Sequence, residues 1–380
     1  MPTLLGRSFT RAELARHVGD SSQLFGTDLY ELADGPERGV RVVRLRTGSG
    51  LSCEILLDRG MDPAGLDWRG VPLGWRSPTL FRSPWLHEHD SEDGMGWLRS
   101  FSGLMNSCGL DHTMGPEAED SPHFNYPARP RVRHGLHGRA AYLPARLIGH
   151  GERWEGDRCF LYVEGEVRQA AMYGEFLVLR RKIEAEVGSD TLTIEDVVTS
   201  HGFHPTPHAL LYHVNLGFPV VAEGTRLVAP LRRTRFTSHD AARAEVGPLA
   251  QTAPLSGFVE QVYEHELAAD AAGNSFAALV NPSFAWSGGD AGLGFVLEWD
   301  SRTLPAFYQW QNLQEGNYVV GIEPATTLAG SRAARKERGE IVWLGHGEQR
   351  RYRLSMTPVA GAAAIDRLEE RSRALLGAAG

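Results

Sequence analysis

Two polar side chains interrupt an apolar stretch at residues 210–219, in the middle of the chain. His213 and Asn215 lie two positions apart, so on an extended strand both side chains point to the same face. The apolar neighbours Tyr212 and Val214 point to the opposite face. Because a buried imidazole or amide without a partner is costly, the pattern predicts either a hydrogen-bonded core histidine or part of a functional site.

A carboxylate suited to acid–base chemistry ends a second apolar stretch. Residues 318–323 predict a strand, and Pro324 follows Glu323 directly. Since proline cannot donate a ladder hydrogen bond, we expect the strand to end there. Glu323 would then lie at a sheet rim, half desolvated, with the raised pKa that suits a general base. The alternative is a glutamate that caps or pairs at a strand end.

Two glycine-rich stretches place further polar groups where a ligand could bind. Residues 101–110 are small, apolar and punctuated by glycine, and they contain Asn106. Such a stretch lets the backbone approach a ligand or another strand closely. Residues 133–139 carry His137 and Arg139 between glycines, which indicates either a polar turn or a binding site.

Many short strands must position these groups. Their spacing, with turns and without alternating helices, predicts an antiparallel sandwich or barrel. Short helices are expected at both ends: residues 10–18, where Thr10 and Glu13 can form a capping box, and residues 362–376. We therefore expect one all-β domain over residues 1–380, with its core at about 23–357. The predicted strands are 40–45, 51–57, 160–167, 176–185, 191–198, 210–219, 226–229, 257–264, 275–281, 293–299, 306–311, 318–323, 340–344 and 349–357.

The segment after the first strands is irregular. Asp58 and Arg59 are interpreted as an ion pair that pins a charged turn at residues 58–63. Residues 74–97 are rich in proline, histidine and aromatic side chains. Long irregular segments in a compact domain are often functional loops, and aromatic faces can pack against either a core or the C–H face of a sugar.

Composition and charge exclude several classes of protein. The chain has 380 residues, with 39 basic against 47 acidic side chains and a net charge of −8. This balance disfavours nucleic-acid binding, which needs a basic surface. Three cysteines without paired spacing fit a reducing compartment. With neither a leader sequence nor a long apolar run in view, we expect a soluble cytoplasmic protein without a membrane partner.

Three short motifs occur in an informative order. They are Leu-His-Gly at 136–138, Tyr-His-Val-Asn-Leu at 212–216 and Gly-Ile-Glu-Pro at 321–324. In this order they resemble the motifs of the aldose 1-epimerase (galactose mutarotase) superfamily. Residues 58–62 and 103–110 add similarity to a poorly characterised aldose 1-epimerase-like branch. The resemblance spans roughly residues 40–357.

The resemblance implies a galactose mutarotase-like β-supersandwich whose concave face binds a sugar. Glu323 would be the general base and His213 the general acid. Further substrate contacts would come from His137, Arg139, Asn215 and Asn106. Two departures stand out: the family's acid histidine falls two residues earlier, where this chain has Leu211, and the family's Gly-Arg-x-x-Asn-Arg motif is replaced by residues 101–110.

The resemblance also implies a mechanism by proton transfer alone. Glu323 would remove the anomeric hydroxyl proton while His213 protonates the ring oxygen, so that the ring opens and recloses with either configuration. No metal or organic cofactor is expected, and the only partner expected is a small sugar substrate.

Two other classes of function remain open. One is a metal-dependent keto-sugar isomerase or lyase, in which imidazoles and the carboxylate of Glu175 or Glu323 hold the ion. The imidazoles concerned are those of His201, His204, His208 and His213. Prolines stand next to His204 and His208, which indicates a loop without regular ligand spacing. The other is a carbohydrate-binding protein that uses the aromatic face without catalysis.

Overall fold

The computed structural model describes residues 1–120, 128–238 and 246–378. Strands dominate it, and no helix among these residues is long and apolar enough to cross a bilayer. The strands are β1 (Thr3–Leu4), β2 (Arg7–Ser8), β3 (Gly26–Glu31), β4 (Arg41–Arg46), β5 (Leu51–Leu56), β6 (Asp62–Trp68), β7 (Val71–Pro72), β8 (Met105–Leu110), β9 (Glu117–Asp120), β10 (Arg131–His134), β11 (Ala145–Glu155), β12 (Arg158–Ala170), β13 (Phe176–Glu186), β14 (Leu192–Ser200), β15 (Thr206–Leu216), β16 (Arg226–Val228), β17 (Leu231–Phe236), β18 (Gln261–Leu267), β19 (Asn274–Ala285), β20 (Ala291–Asp300), β21 (Ala306–Gln314), β22 (Asn317–Ala325), β23 (Val342–Leu344) and β24 (Gln349–Ala360). The α-helices are α1 (Arg11–His17), α2 (Ser91–Gly94), α3 (Arg332–Glu337) and α4 (Ala362–Gly377).

Three large sheets carry the fold. The first has eight strands in the order β11-β12-β13-β14-β24-β20-β19-β16. The second has the order β17-β18-β21-β22-β15-β23, and β8 also pairs with β15. The third is the meander β3 to β7. Neighbouring strands within these described sheets run antiparallel, which confirms the predicted all-β class.

Strand β15 has two different faces, as its period-2 pattern predicts. Tyr212, Val214 and their alternate neighbours enter the large apolar core that contains residues of all three sheets. Leu211 faces a separate cluster that is rich in tryptophan. His213 and Asn215 share this second face, because side chains alternate along a strand. Both faces of β15 are covered, and all eleven of its residues are buried.

The predicted terminal helices are present. Thr10 caps α1 in the expected reciprocal manner, since the Glu13 amide donates to the threonine hydroxyl at 3.1 Å and the Thr10 amide donates to the Glu13 carboxylate at 2.8 Å. Helix α4 buries Ile365 and Leu368 against residues of the eight-stranded sheet. Helices α2 and α3 and several 3₁₀ turns lie between the strands and were not predicted.

The predicted end of the Glu323 strand is wrong. Strand β22 continues through Pro324 to Ala325. Between β15 and β22, Leu211 pairs with Ala325 and Val214 pairs with Ile322, and the residues between these two pairs are not paired. Pro324 lies in this interval, so β15 does not require the amide donor that proline lacks. Glu323 therefore lies inside a central strand and is 4% exposed, instead of being half desolvated at a rim.

The predicted ion pair between Asp58 and Arg59 is also wrong. Asp58 pairs with Arg41. The buried Arg59 guanidinium instead donates to the carbonyl oxygens of Ala141 at 2.9 Å and Ser100 at 2.8 Å, and a third bond goes to the Arg82 carbonyl at 2.9 Å. The side chains of Asp58 and Arg59 therefore have different partners, and the several N–H donors of a guanidinium can bind several carbonyl oxygens at once. Arg59 thus fastens the irregular segment before β8 to the meander.

A buried ion-pair network joins the three sheets. The guanidinium of Arg181 on β13 binds Asp196 on β14 through two bonds of 2.9 and 2.6 Å. It also binds Asp62, the first residue of β6. Ser107 on β8 accepts a bond of 2.9 Å from the same guanidinium, and the Tyr212 hydroxyl on β15 donates to Asp196 at 2.7 Å. Arg181 itself is fully buried.

Replacing Arg181 by methionine leaves two buried carboxylates without a counter-charge. We expect Arg181→Met to lower the free energy of unfolding by about 3–5 kcal/mol, measured by urea denaturation. The matched control is Arg180→Met, since the neighbouring Arg180 side chain is 59% exposed and pairs with Glu164 at the surface. Its loss should cost no more than about 1 kcal/mol. Equal effects of the two substitutions would contradict the structural role of the network.

Candidate active site

His213 and Glu323 face each other across two neighbouring strands. The register pairs Val214 with Ile322 and Asn215 with Gly321, so His213 lies opposite Glu323 and both side chains share one face. The His213 Nε2 atom is 3.2 Å from the Glu323 Oε1 atom. The structure thus brings together the two residues that the sequence assigned to acid–base chemistry.

Burial sets the charge of this pair. The two residues are 3% and 4% exposed. Burial, reinforced by the nearby Glu260 carboxylate, raises the pKa of Glu323 to about 8. Burial and the neighbouring His137 lower the pKa of His213 well below its ordinary value. At neutral pH both groups are therefore uncharged, and the carboxyl group carries the exchangeable proton of the pair. Among the described residues, Glu323 Oε1 is buried without a hydrogen-bond partner.

Asn215 fastens the other side of the imidazole. Its Oδ1 atom is 2.6 Å from His213 Nδ1. Its Nδ2 atom donates to the Gly103 carbonyl at 3.1 Å and to the Asn106 Oδ1 atom at 3.4 Å. The Asn215 side chain is fully buried, and its hydrogen-bonding groups are engaged within the protein.

Two more of the predicted residues border the pair. Asn106 on β8 lies directly opposite His213. The His137 ring lies 5.7 Å from the His213 ring, and its Nδ1 atom accepts a bond from the Met114 amide at 3.4 Å. The second ring nitrogen of His137 therefore carries the proton. Burial lowers the pKa of His137 to about 3, so this ring is a neutral donor.

Glycines allow the His137 turn to approach β8. The Gly109 amide donates to the His137 carbonyl at 2.9 Å, and the Arg139 amide donates to the Gly109 carbonyl at 2.7 Å. A Cβ atom at Gly138, where φ is +74°, would lie 2.5 Å from the Gly109 carbonyl oxygen. A side chain at this position would therefore force the turn and the Gly109 backbone apart.

Arg139 has no hydrogen bond or ion pair with His213 or Glu323. Its guanidinium lies between two buried carboxylates, 3.6 Å from Glu175 and 3.8 Å from Asp111. The structure therefore groups five of the six predicted site residues around the imidazole and turns the Arg139 side chain toward a neighbouring charged cluster.

Aromatic rings cover the pair. Trp97 and Phe101 stack with ring centroids 4.0 Å apart, and Phe101 contacts the edge of the His213 ring at 4.9 Å. Trp310 on β21 lies beside Phe101, with its ring 5.3 Å from that of His213. Sequence reasoning identified the aromatic segment before β8 but missed Trp310, whose place beside the pair depends on the pairing of β21 with β22.

Gly321 leaves the space in which the pair meets. A Cβ atom on this residue would lie 2.5 Å from Glu323 Oε1 and 3.1 Å from the His213 Cε1 atom. The sequence motif contained this glycine without assigning it a role. Gly321 lies two residues before Glu323, so the two residues share a strand face. This spacing could have identified Gly321 as part of the site from the sequence.

The histidines proposed as metal ligands do not come together in the described part of the chain. His208 uses both ring nitrogens, Nδ1 with the Leu110 carbonyl at 2.8 Å and Nε2 with the Tyr352 hydroxyl at 2.7 Å. His201 and His204 are exposed. Among the residues that the structure describes, one group brings three ligand atoms within 4.8 Å of one another, namely Glu88, His89 and Asp90, which are different residues.

Known structures share this architecture. A candidate aldose 1-epimerase from Klebsiella pneumoniae subsp. pneumoniae is 24% identical, with a TM-score of 0.82 over 94% of this chain and 90% of that chain. A galactose mutarotase-like protein from Clostridium acetobutylicum is 14% identical, with a TM-score of 0.55 over 88% and 98% of the two chains. For galactose 1-epimerase from Lactobacillus acidophilus NCFM the identity is 11% and the TM-score 0.51, over 88% and 99%.

These similarities confirm the predicted galactose mutarotase-like fold. No functionally curated protein matches the sequence significantly. Residues 37–357 match the family described as Domain of unknown function (DUF4432). This match covers most of the chain and includes every candidate site residue, and the chain therefore belongs to the DUF4432 family.

Proposed function

We propose that the chain is a carbohydrate isomerase of the aldose 1-epimerase type, which interconverts sugar anomers by acid–base catalysis. The observation that carries this proposal is the buried pair of His213 and Glu323, 3.2 Å apart. The fold that holds this pair is shared with proteins named as epimerases or as mutarotase-like. Buried acid–base pairs with displaced pKa values are a common feature of catalytic sites.

The reaction needs one proton taken up and one delivered. Transfer of the carboxyl proton from Glu323 to His213 Nε2 gives a carboxylate and an imidazolium. The carboxylate then accepts the proton of the anomeric hydroxyl, the imidazolium donates its proton to the ring oxygen, and the bond between C1 and the ring oxygen breaks. Rotation of the aldehyde and reversal of both transfers close the ring with either configuration. Each placed proton transfer contributes typically 10²–10⁴-fold in rate.

Neighbouring side chains supply binding groups for the sugar. The neutral His137 ring offers an N–H donor, and Asn106 lies beside His213 on the same face. Trp97 and Phe101 provide aromatic faces against which sugar C–H groups pack. Of the two roles considered for Arg139, its position favours orienting carboxylates, those of Asp111 and Glu175, over holding the substrate. Because the aromatic rings cover the pair, a sugar must displace part of this cover to reach His213.

A carbohydrate-binding protein without activity would use the aromatic face alone. Such a protein gains nothing from a buried histidine and glutamate that face each other, because an unpaired buried carboxyl group costs free energy. The pair therefore favours catalysis over binding alone.

Removing the carboxylate tests the proposal directly. Glu323→Gln keeps the shape of the side chain but cannot accept a proton, so we expect anomer exchange to fall by roughly 10²-fold or more with little loss of sugar affinity. Exchange is measured by NMR over a panel of aldoses and ketoses, and binding is measured separately. The matched control, Glu298→Gln on β20, alters a glutamate paired with Arg371 and should exchange sugars at the wild-type rate. Wild-type rates in Glu323→Gln would disprove the assignment.

The pH dependence of the rate follows from the same pair. Because burial raises the pKa of Glu323 to about 8, the pair keeps its proton below this pH and loses it as the pH rises through it. We expect the rate to fall as the pH rises above about 8. On the acid side, the rate should fall only at a pH well below the ordinary pKa of histidine.

A substitution at Glu260 tests the cause of this pH dependence. Glu260→Gln removes the negative charge that helps to raise the pKa of Glu323, so the alkaline limb of the variant's pH–rate profile should move to lower pH. An unchanged limb in Glu260→Gln would contradict this account.

A further inference from the structure

The shortest contact of the candidate pair with its surroundings is on the side of His213 that faces away from Glu323. Asn215 Oδ1 lies 2.6 Å from His213 Nδ1, and both residues are buried. A neutral imidazole carries its proton on only one nitrogen. Which nitrogen it is depends on whether Asn215 presents an oxygen or an amide nitrogen to the ring.

The surroundings of Asn215 decide this orientation. Its Nδ2 atom is surrounded by oxygens, at 3.1 Å from both the Gly103 and the His213 carbonyls and at 3.4 Å from Asn106 Oδ1. A flipped amide would place its oxygen against these acceptors and lose all three bonds. Asn215 must therefore present its oxygen to the imidazole, and an oxygen acceptor requires a proton on Nδ1.

Backbone hydrogen bonds hold Asn215 in place. Its backbone N–H donates to the Leu104 carbonyl at 2.6 Å, and its backbone carbonyl accepts a bond from the Trp75 N–H at 3.1 Å. Gly103 turns its carbonyl toward Asn215 with φ at +106°, a conformation that favours glycine. Asn215 thus has little freedom to turn with the ring.

We propose that Asn215 is a positioning residue that holds His213 in the tautomer protonated at Nδ1, so that the unprotonated Nε2 atom faces the Glu323 carboxyl group. In this tautomer Nε2 can accept the proton of Glu323, while Nδ1–H stays bonded to the asparagine. In the opposite tautomer Nε2 already carries a proton, so it cannot accept one from the carboxyl group. The assignment of the tautomer follows from hydrogen bonds alone and needs no reaction. Only the role of the tautomer in catalysis rests on the proposed function.

The choice of asparagine also has a physical reason. A carboxylate at this position would favour a charged imidazolium at rest, because an adjacent anion stabilises the protonated ring. The neutral amide fixes the same tautomer without supplying that charge. His213 then stays neutral until Glu323 delivers its proton.

The tautomer can be measured without a substrate. In protein labelled with ¹⁵N-histidine, we expect NMR of the His213 ring to show a protonated Nδ1 and an unprotonated Nε2 at neutral pH. His208 is an internal control, since its Nδ1 atom faces the Leu110 carbonyl and has the same tautomer without involving Asn215. A wild-type His213 ring protonated at Nε2 would overturn the proposal, whatever any variant does.

Two substitutions test the part played by Asn215. Asn215→Leu removes the acceptor at similar volume and should shift the His213 ring toward the Nε2–H tautomer, while His208 stays unchanged. Asn215→Asp keeps the acceptor and adds charge, so the Nδ1 proton should remain and the ring should become protonated at higher pH than in wild type. An unchanged His213 tautomer in folded Asn215→Leu would show that Asn215 does not set it.

Catalysis supplies a separate readout. If a sugar is turned over, Asn215→Leu should lower kcat by roughly 10²-fold with KM little changed, and Asn215→Asp should move the alkaline limb of the rate to higher pH. A wild-type kcat in Asn215→Leu would contradict the positioning role. If wild type has the Nδ1–H tautomer but exchanges no sugar, the proposed function fails and the tautomer assignment stands.

Discussion

The buried guanidinium of Arg181 holds the three sheets of this protein in one arrangement. It binds carboxylates from β6 and β14 and a hydroxyl from β8, while Tyr212 connects β15 to the same cluster. Each partner comes from a different part of the chain, so the network forms only when the sheets are assembled. Buried charges are costly unless they are paired and hydrogen-bonded, and this requirement fixes how the sheets meet.

The candidate active site lies on the other face of the same strand. Tyr212 reaches the Arg181 network from one side of β15, and His213 meets Glu323 on the opposite side. Any displacement of β15 would therefore disturb both the ionic network and the acid–base pair. The Tyr212 face of β15 is held by the ionic network, whereas the His213 face carries a pair that burial keeps uncharged. In this uncharged state Glu323 has a proton that it can give to His213.

The cover over the pair depends on contacts from distant segments. Arg59 holds the Ser100 carbonyl, next to the aromatic residues that stack beside His213. The His137 turn is fastened to β8 through Gly109. Strands thus supply the reacting groups and the glycine that leaves room for them, while loops supply the aromatic cover and the neutral donor of His137. This division is typical of β folds in which a rigid sheet positions chemistry and loops surround it.

The sequence by itself determined the class of the fold and the faces of its strands. Period-2 alternation was sufficient to place His213 and Asn215 on one side of β15, and local capping chemistry was sufficient for α1, because both depend on neighbours along the chain. Motif order indicated Glu323 and His137 as further site residues. The tertiary structure alone decided that Glu323 lies inside a central strand, that Arg59 binds carbonyls rather than Asp58, and that Arg139 turns toward Asp111 and Glu175. These outcomes depend on the register between strands and on partners more than a dozen residues away, which no local pattern in the sequence encodes.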